Sequence, residues 1–163
     1  MRAPPSPRAG GILPGVVNLA EEEARSRFAA APVARLATVD AHGRPHLVPV
    51  TFAAAGDGIV TAVDHKPKRT TELARLRNLR GQPRVCLLAD HYEERWEALW
   101  WVRADGVARV LGAEEVEHAA ALDRLAAKYP QYRRHRPAGP VISVEVDRWT
   151  GWAWDAPPDD HHR

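Results

Sequence analysis

An α+β fold built around one antiparallel sheet is predicted by three observations. Segments of period-two apolar alternation predominate, short turns join the first three of them, and helical segments fall between groups of strands. The resulting order is helix, three strands, helix, two strands, helix, one or two strands. It excludes the regular β-α-β alternation of a parallel nucleotide-binding sheet. Six or seven short strands with few helices close most naturally into a small barrel.

The elements follow in order. Residues 1–17 carry four prolines and three glycines and no apolar period, which predicts a flexible arm. Asn18 with Glu21 three positions later resembles a capping box opening a helix over 21–31, which Pro32 ends. Residues 33–39 read as a strand, 40–43 as a turn with Gly43 at a position that tolerates positive φ, and 44–52 as the returning strand. A second turn at 56–58 leads to a third strand over 59–63, completing a meander. A helix over 67–79 starts on Pro67, repeats Leu73, Leu76 and Leu79 on one side, and stops at Gly81 and Pro83. The apolar run 84–89 predicts a strand buried on both faces, and 98–111 a long fifth strand. Helix 114–128 presents Val116, Ala120, Leu122 and Leu125 on one side, followed by a loop over 129–140. Residues 141–146 form a sixth strand that 149–154 continue or bend. The folded domain is expected over 18–155, with 156–163 a disordered tail.

A chain of 163 residues, 45% hydrophobic and 27% charged, is one ordinary globular domain. Its single cysteine, Cys86, excludes an internal disulfide framework and a Cys-only zinc site; in its apolar run it reads as a buried small hydrophobe. No apolar run reaches the roughly 18 residues of a membrane span, and the start lacks the apolar core of a signal peptide, so a cytoplasmic location is expected. Neither a Gly-x-Ser-x-Gly nor a His-Glu-x-x-His motif occurs. His91 with Glu93 and Glu94 lacks a further cluster, so no metal site is expected. His46 reads as a packed strand histidine, and His161-His162 lies in the tail. No catalytic apparatus of side chains alone is visible, and no catalytic residue is assigned. A cofactor would therefore bring the reactivity of an enzyme built this way.

Charge is unevenly placed. The net is +2, yet Lys66, Lys68, Arg69, Arg75, Arg77, Arg80 and Arg84 face a single acid, Glu72, within residues 65–84. Lys66, Lys68 and Arg69, with the hydroxyls of Thr70 and Thr71, stand where a strand runs into a helix N-terminus. That is the composition of an anion cradle; a solvated basic helix face is the alternative. Adjacent Trp100 and Trp101 on a strand point to opposite faces, so one packs inward while the other covers a ring, a helix or a partner. With Trp149, Trp152 and Trp154, this is more aromatic surface than one small domain buries, which favours a homodimer.

The segments VARLATVDAHGRPHLVPVTF, IVTAVDHKPKRTTELARLRNLRGQPRVCLL and WWVRADGVARVL together resemble the pyridoxamine-phosphate-oxidase-like family. Within it they are most similar to the actinobacterial oxidoreductases that use the 8-hydroxy-5-deazaflavin coenzyme F-420. The ending KYPQYRRHRPAGPVISVEVDRWTGWAWD fits the same branch, and the likeness spans about 19–155. The resemblance implies a split β-barrel forming a homodimer, with the cofactor in a groove between subunits. Flavin-binding relatives grip the cofactor phosphate with Ser-Arg-Lys, where this chain has Pro67-Lys68-Arg69. Their Arg-Gln on a later strand is replaced by Trp100-Trp101, and their second-strand lysine is missing near Val50 or Thr51. These departures argue against a pyridoxamine phosphate oxidase. They suit a cofactor with a phosphodiester and an acidic tail, held by Lys66, Lys68 and Arg69 with Arg75 behind.

By the same resemblance, Val48, Pro49, Val50 and Thr51 of the second strand line the cofactor ring, as do Thr61 and Val63 of the third, and Trp101 stacks near it or walls the substrate pocket. The implied reaction is hydride transfer between the deazaflavin and a small organic substrate, with water as a sufficient proton source. FMN on the same fold is the alternative cofactor, and a relative that only stores cofactor or binds heme is a third reading. A nucleic-acid-binding barrel is more remote, because the basic residues are not interleaved with the aromatics. No membrane partner is expected.

Overall fold

The computed structural model describes residues 16–63 and 73–154. In chain order the elements are β1 (Val16–Asn18), α1 (Glu21–Ala30), β2 (Ala34–Val39), β3 (Pro45–Val50), β4 (Ala53–Ala55) and β5 (Gly58–Ala62). Then come α2 (Ala74–Gly81), β6 (Arg84–His91), β7 (Trp100–Leu111), α3 (Val116–Lys128), α4 (Pro130–Arg134) and β8 (Val141–Trp154). All pairings are antiparallel, in the order β3-β2-β6-β7-β8-β5-β4. β8 pairs with β7 along its whole length. Its other flank takes β5 at Val141–Glu145 and β1 at Trp152–Trp154.

The expected closure into a barrel stops short. β3 and β4 are the two edges of the sheet and neighbours in the chain, separated only by Thr51 and Phe52, yet no ladder joins them among the described residues. The returning strand expected over 44–52 therefore ends at Val50, and an unexpected short strand, β4, follows after the break.

Two apolar cores sit on the sheet. The larger gathers Leu36, Phe52, Ile59, Leu87, Val102 and Ile142 under α1, which contributes Ala24 and Phe28, and α2, which contributes Leu79. Phe28 anchors it, with ring centroids 4.8 Å from Phe52 and 5.3 Å from Trp149. The smaller packs Ala121, Leu122 and Leu125 of α3 on Val60, Ala62, Leu111 and Val141. No helix among the described residues is long and apolar enough to cross a membrane.

Several expectations shift at the element ends. Asn18 does not cap α1. It lies in β1 opposite Trp152, Ala20 takes the cap position, and Glu21, Glu22 and Glu23 in the first turn offset the helix dipole instead. Strand pairing thus reaches back into Val16 and Val17, residues expected in the arm. Residues 98–99 precede β7, which a 3-10 turn at Trp96–Ala98 introduces. The loop after α3 contains α4, started by Pro130, and β8 runs through to Trp154. The start of the helix expected at Pro67 lies outside the described residues.

Two glycines explain local geometry. Gly43, at φ 77°, makes the β2–β3 turn. In the same turn Asp40 accepts from the backbone N–H of Arg44 at 2.9 Å and of His42 at 2.8 Å, and from Arg44 Nε at 2.7 Å. Led by the Arg44 N–H, these bonds hold its carboxyl down at about 2. Gly106 sits at a β-bulge where a Cβ would lie 2.2 Å from the Glu145 carbonyl oxygen, so no larger residue fits.

Candidate functional site

β6 was expected to be buried on both faces, and only half of that holds. Val85, Leu87 and Ala89 enter the main core, while Cys86, Leu88 and Asp90 point to the opposite, outer face. The ladders set outer-face residues side by side in rows. One row runs Pro49, Arg35, Leu88, Arg103, Thr150, and the next Leu47, Ala37, Cys86, Asp105, Arg148. A third aligns Asp90, Trp101 and Trp152. Where these rows meet, the surface forms a groove of about 560 Å³, a ligand-site size. Ala37, Leu47, Cys86 and Leu88 give it an apolar floor, Trp101 and Tyr92 aromatic walls, and Arg35 and Arg103 its cations.

The charges in the groove are pinned. Arg35 is ion-paired with Asp90. Arg103 Nε donates to Asp105 Oδ2 at 3.1 Å, and Arg148 donates to the same oxygen through Nε and Nη2 at 3.2 Å each. Trp152 packs edge-on against Trp101 at 6.4 Å and Tyr92 at 6.3 Å, which fixes the aromatic wall. Cys86 is half-buried rather than buried, and desolvation, reinforced by the Asp105 charge, pushes its thiol up.

A second constellation sits at the break between β3 and β4. The Tyr129 hydroxyl accepts from the Phe52 N–H at 3.0 Å, and its single proton goes to Phe52 O at 2.9 Å or Pro32 O at 3.0 Å. Tyr132 shares a 2.7 Å hydrogen bond with the Thr51 hydroxyl. Tyr129 thus satisfies backbone that a closed barrel would have paired across strands, while Tyr132 holds the neighbouring Thr51 side chain.

The residues singled out from the sequence fall in different places. Trp101 lines the groove, and Pro49 lies on the same face beside Arg35. Val48 faces the main core, and Val50 is buried in it. Thr51 is half-buried against Tyr132. Thr61 and Val63 are 2% and 0% exposed, so their side chains offer no surface. Lys66, Lys68 and Arg69 lie outside the described residues, and Arg75 is half-buried on α2. Trp100 packs against the main core, opposite to Trp101 as strand alternation requires. His46 is half-buried with its Nδ1 unpaired among the described residues, not the satisfied histidine expected. No group of three or more His, Cys, Asp or Glu among the described residues is placed to hold a metal ion. Arg35, Tyr92, Asp90 and Arg103 went unnoticed in the sequence. Strand alternation puts Arg35, Asp90 and Arg103 on the outer face, and Tyr92 follows the end of β6, but only the strand order brings them together.

A family model described as pyridoxamine 5'-phosphate oxidase matches residues 20–153, which is most of the chain. The chain belongs to the pyridoxamine 5'-phosphate oxidase family. Its eight-stranded open sheet is that family's split barrel. Among solved structures of this fold, it is similar to an FAD-binding protein of Mesorhizobium loti at 18% identity and TM-score 0.68, covering 86% of this chain and 99% of that one. A conserved hypothetical protein of Mycobacterium tuberculosis matches at 21% and 0.67, covering 91% and 90%. A heme-binding protein of Mycobacterium smegmatis matches at 27% and 0.62, covering 79% of this chain and 52% of that one. No curated protein matches the chain.

Proposed function

We propose that this pyridoxamine 5'-phosphate oxidase relative is an oxidoreductase that uses the deazaflavin coenzyme F-420 on a small organic substrate. The observation that supports it most is the groove itself. It has an apolar floor beside the Trp101 indole, at the position where the sequence resemblance puts a polar cofactor contact in flavin-binding relatives. Floor and wall suit a planar substrate ring beside the indole, and Pro49, which lacks a backbone N–H, leaves the neighbouring strand edge open to the cofactor. When bound, the deazaflavin supplies hydride transfer at its ring. The chain's part is to hold ring and substrate against the sheet, exclude bulk water, and anchor the cofactor's acidic handle through Lys66, Lys68 and Arg69. Asp90 and Asp105 are both engaged by arginines, so water serves as the proton source. A second copy of the chain would close over the groove's open side.

A second reading, flavin binding on the same surface, draws on the likeness to the FAD-binding protein of Mesorhizobium loti. One titration separates the two. Purified apoprotein is titrated with the deazaflavin, with FMN and with heme, following fluorescence. The deazaflavin is expected to bind most tightly. Lys68→Ala and Arg69→Ala are each expected to weaken it about tenfold, or about 1.4 kcal/mol, without lowering thermal stability. Tighter FMN binding would replace the first reading with the second; heme alone would remove both.

A further inference from the structure

We infer that the groove beside Trp101 takes a planar aromatic carboxylate. Its assignment as the substrate rests on the redox reading above, while its chemistry as a ligand comes from the groove alone.

Arg35 and Arg103 flank Leu88 in one cross-strand row, so two guanidinium groups border the same apolar strip. Each is held by a carboxylate, Arg35 by Asp90 and Arg103 by Asp105, which orients it before any ligand arrives. Arg103 uses Nε for Asp105, and its two Nη groups have no partner among the described residues. A ring lying on Ala37, Cys86 and Leu88 against the indole would strip water from those Nη groups. An uncharged ring would leave them unpaired, which is unfavourable in a desolvated site. A carboxylate on the same ring accepts from both Nη groups as a fork, the geometry guanidinium matches best. Arg35, Arg103 and Arg148 stand against Asp90 and Asp105 in this ion-pair cluster, so a monoanion balances it. On the redox reading, Lys66, Lys68 and Arg69 serve the cofactor's acidic handle, and Arg103 is left for the second ligand.

The test compares 2-naphthoate with its uncharged counterpart 2-naphthylmethanol, titrated into the full chain by calorimetry. The acid is expected to bind at least about tenfold more tightly, and Arg103→Met to bring the two within about twofold while leaving the alcohol unchanged. Cys86, the chain's single cysteine, sits on the groove floor and reports occupancy. Saturating 2-naphthoate should slow its alkylation by iodoacetamide, in mildly alkaline buffer, at least about fivefold. Equal affinity for acid and alcohol overturns the inference. So does acid binding that leaves Cys86 alkylation unchanged, which puts the acid elsewhere. If Arg103→Met does not fold, Arg35→Met serves as the second variant, and the wild-type comparison stands on its own. Cofactor bound with acid and alcohol equal defeats this inference alone. Acid preferred with no deazaflavin bound defeats the redox reading and leaves the ligand class standing.

Discussion

Lys128 joins three parts of the chain through one amine. Its Nζ donates to Ala29 O at 3.0 Å and Ala31 O at 2.7 Å, and lies 3.7 Å above the centre of the Phe52 ring. A cation there serves the C-terminal end of α1, whose last carbonyls have no partner within the helix. Burial works against that charge and brings the amine down to about 8. The unfolded chain holds this proton up to about 10.4. Between those values the unfolded state binds more protons, so stability rises with pH. Above about 10 the trend reverses, because burial holds the Tyr129 phenol protonated in the fold while the unfolded phenol ionises. Urea midpoints measured from pH 7.5 to 10 should climb in the wild type and stay flatter in Lys128→Met. Parallel curves would mean that Lys128 does not titrate in this window.

Among the elements, the break between β3 and β4 is the most distinctive. Phe52 is fully buried, and its N–H and C=O both depend on the Tyr129 hydroxyl. Tyr129→Phe leaves both without that partner and is expected to lower stability by about 1–3 kcal/mol. Tyr132→Phe removes a single bond to a half-buried hydroxyl and should lower it by about 1 kcal/mol or less. Equal urea midpoints for the two variants would mean that water replaces Tyr129 at the break. The strands on either side were readable from alternation, because one face of each is apolar. The break itself was not. The partner of Thr51 lies 81 residues away, and nothing local marks a tyrosine as a substitute for a strand. The same limit hid the groove: Arg35, Leu88 and Arg103 are ordinary alternating residues until the ladders place them in one row. Trp101 was the exception, since two adjacent indoles cannot both face a core.

Over the whole molecule, sequence periodicity recovered the class, most elements and the antiparallel pairing, while the open edge, β1, β4 and α4 came only from the structure. The outer face also bears on assembly. Leu47 is 65% exposed and Tyr92 60%, both at the groove, which in a single chain leaves a wet apolar rim. Light scattering is expected to give the mass of two chains, and Leu47→Lys to return one while keeping the fold; a wild-type monomer would refute the pairing. β8 carries a last consequence. It follows every other described strand in the chain, and β4 and β5 reach the rest of the sheet only through it. During synthesis, β4 and β5 therefore have no sheet neighbour but each other until residues 141–154 have left the ribosome. Nascent chains stalled before that point are the ones a holding chaperone would be expected to capture.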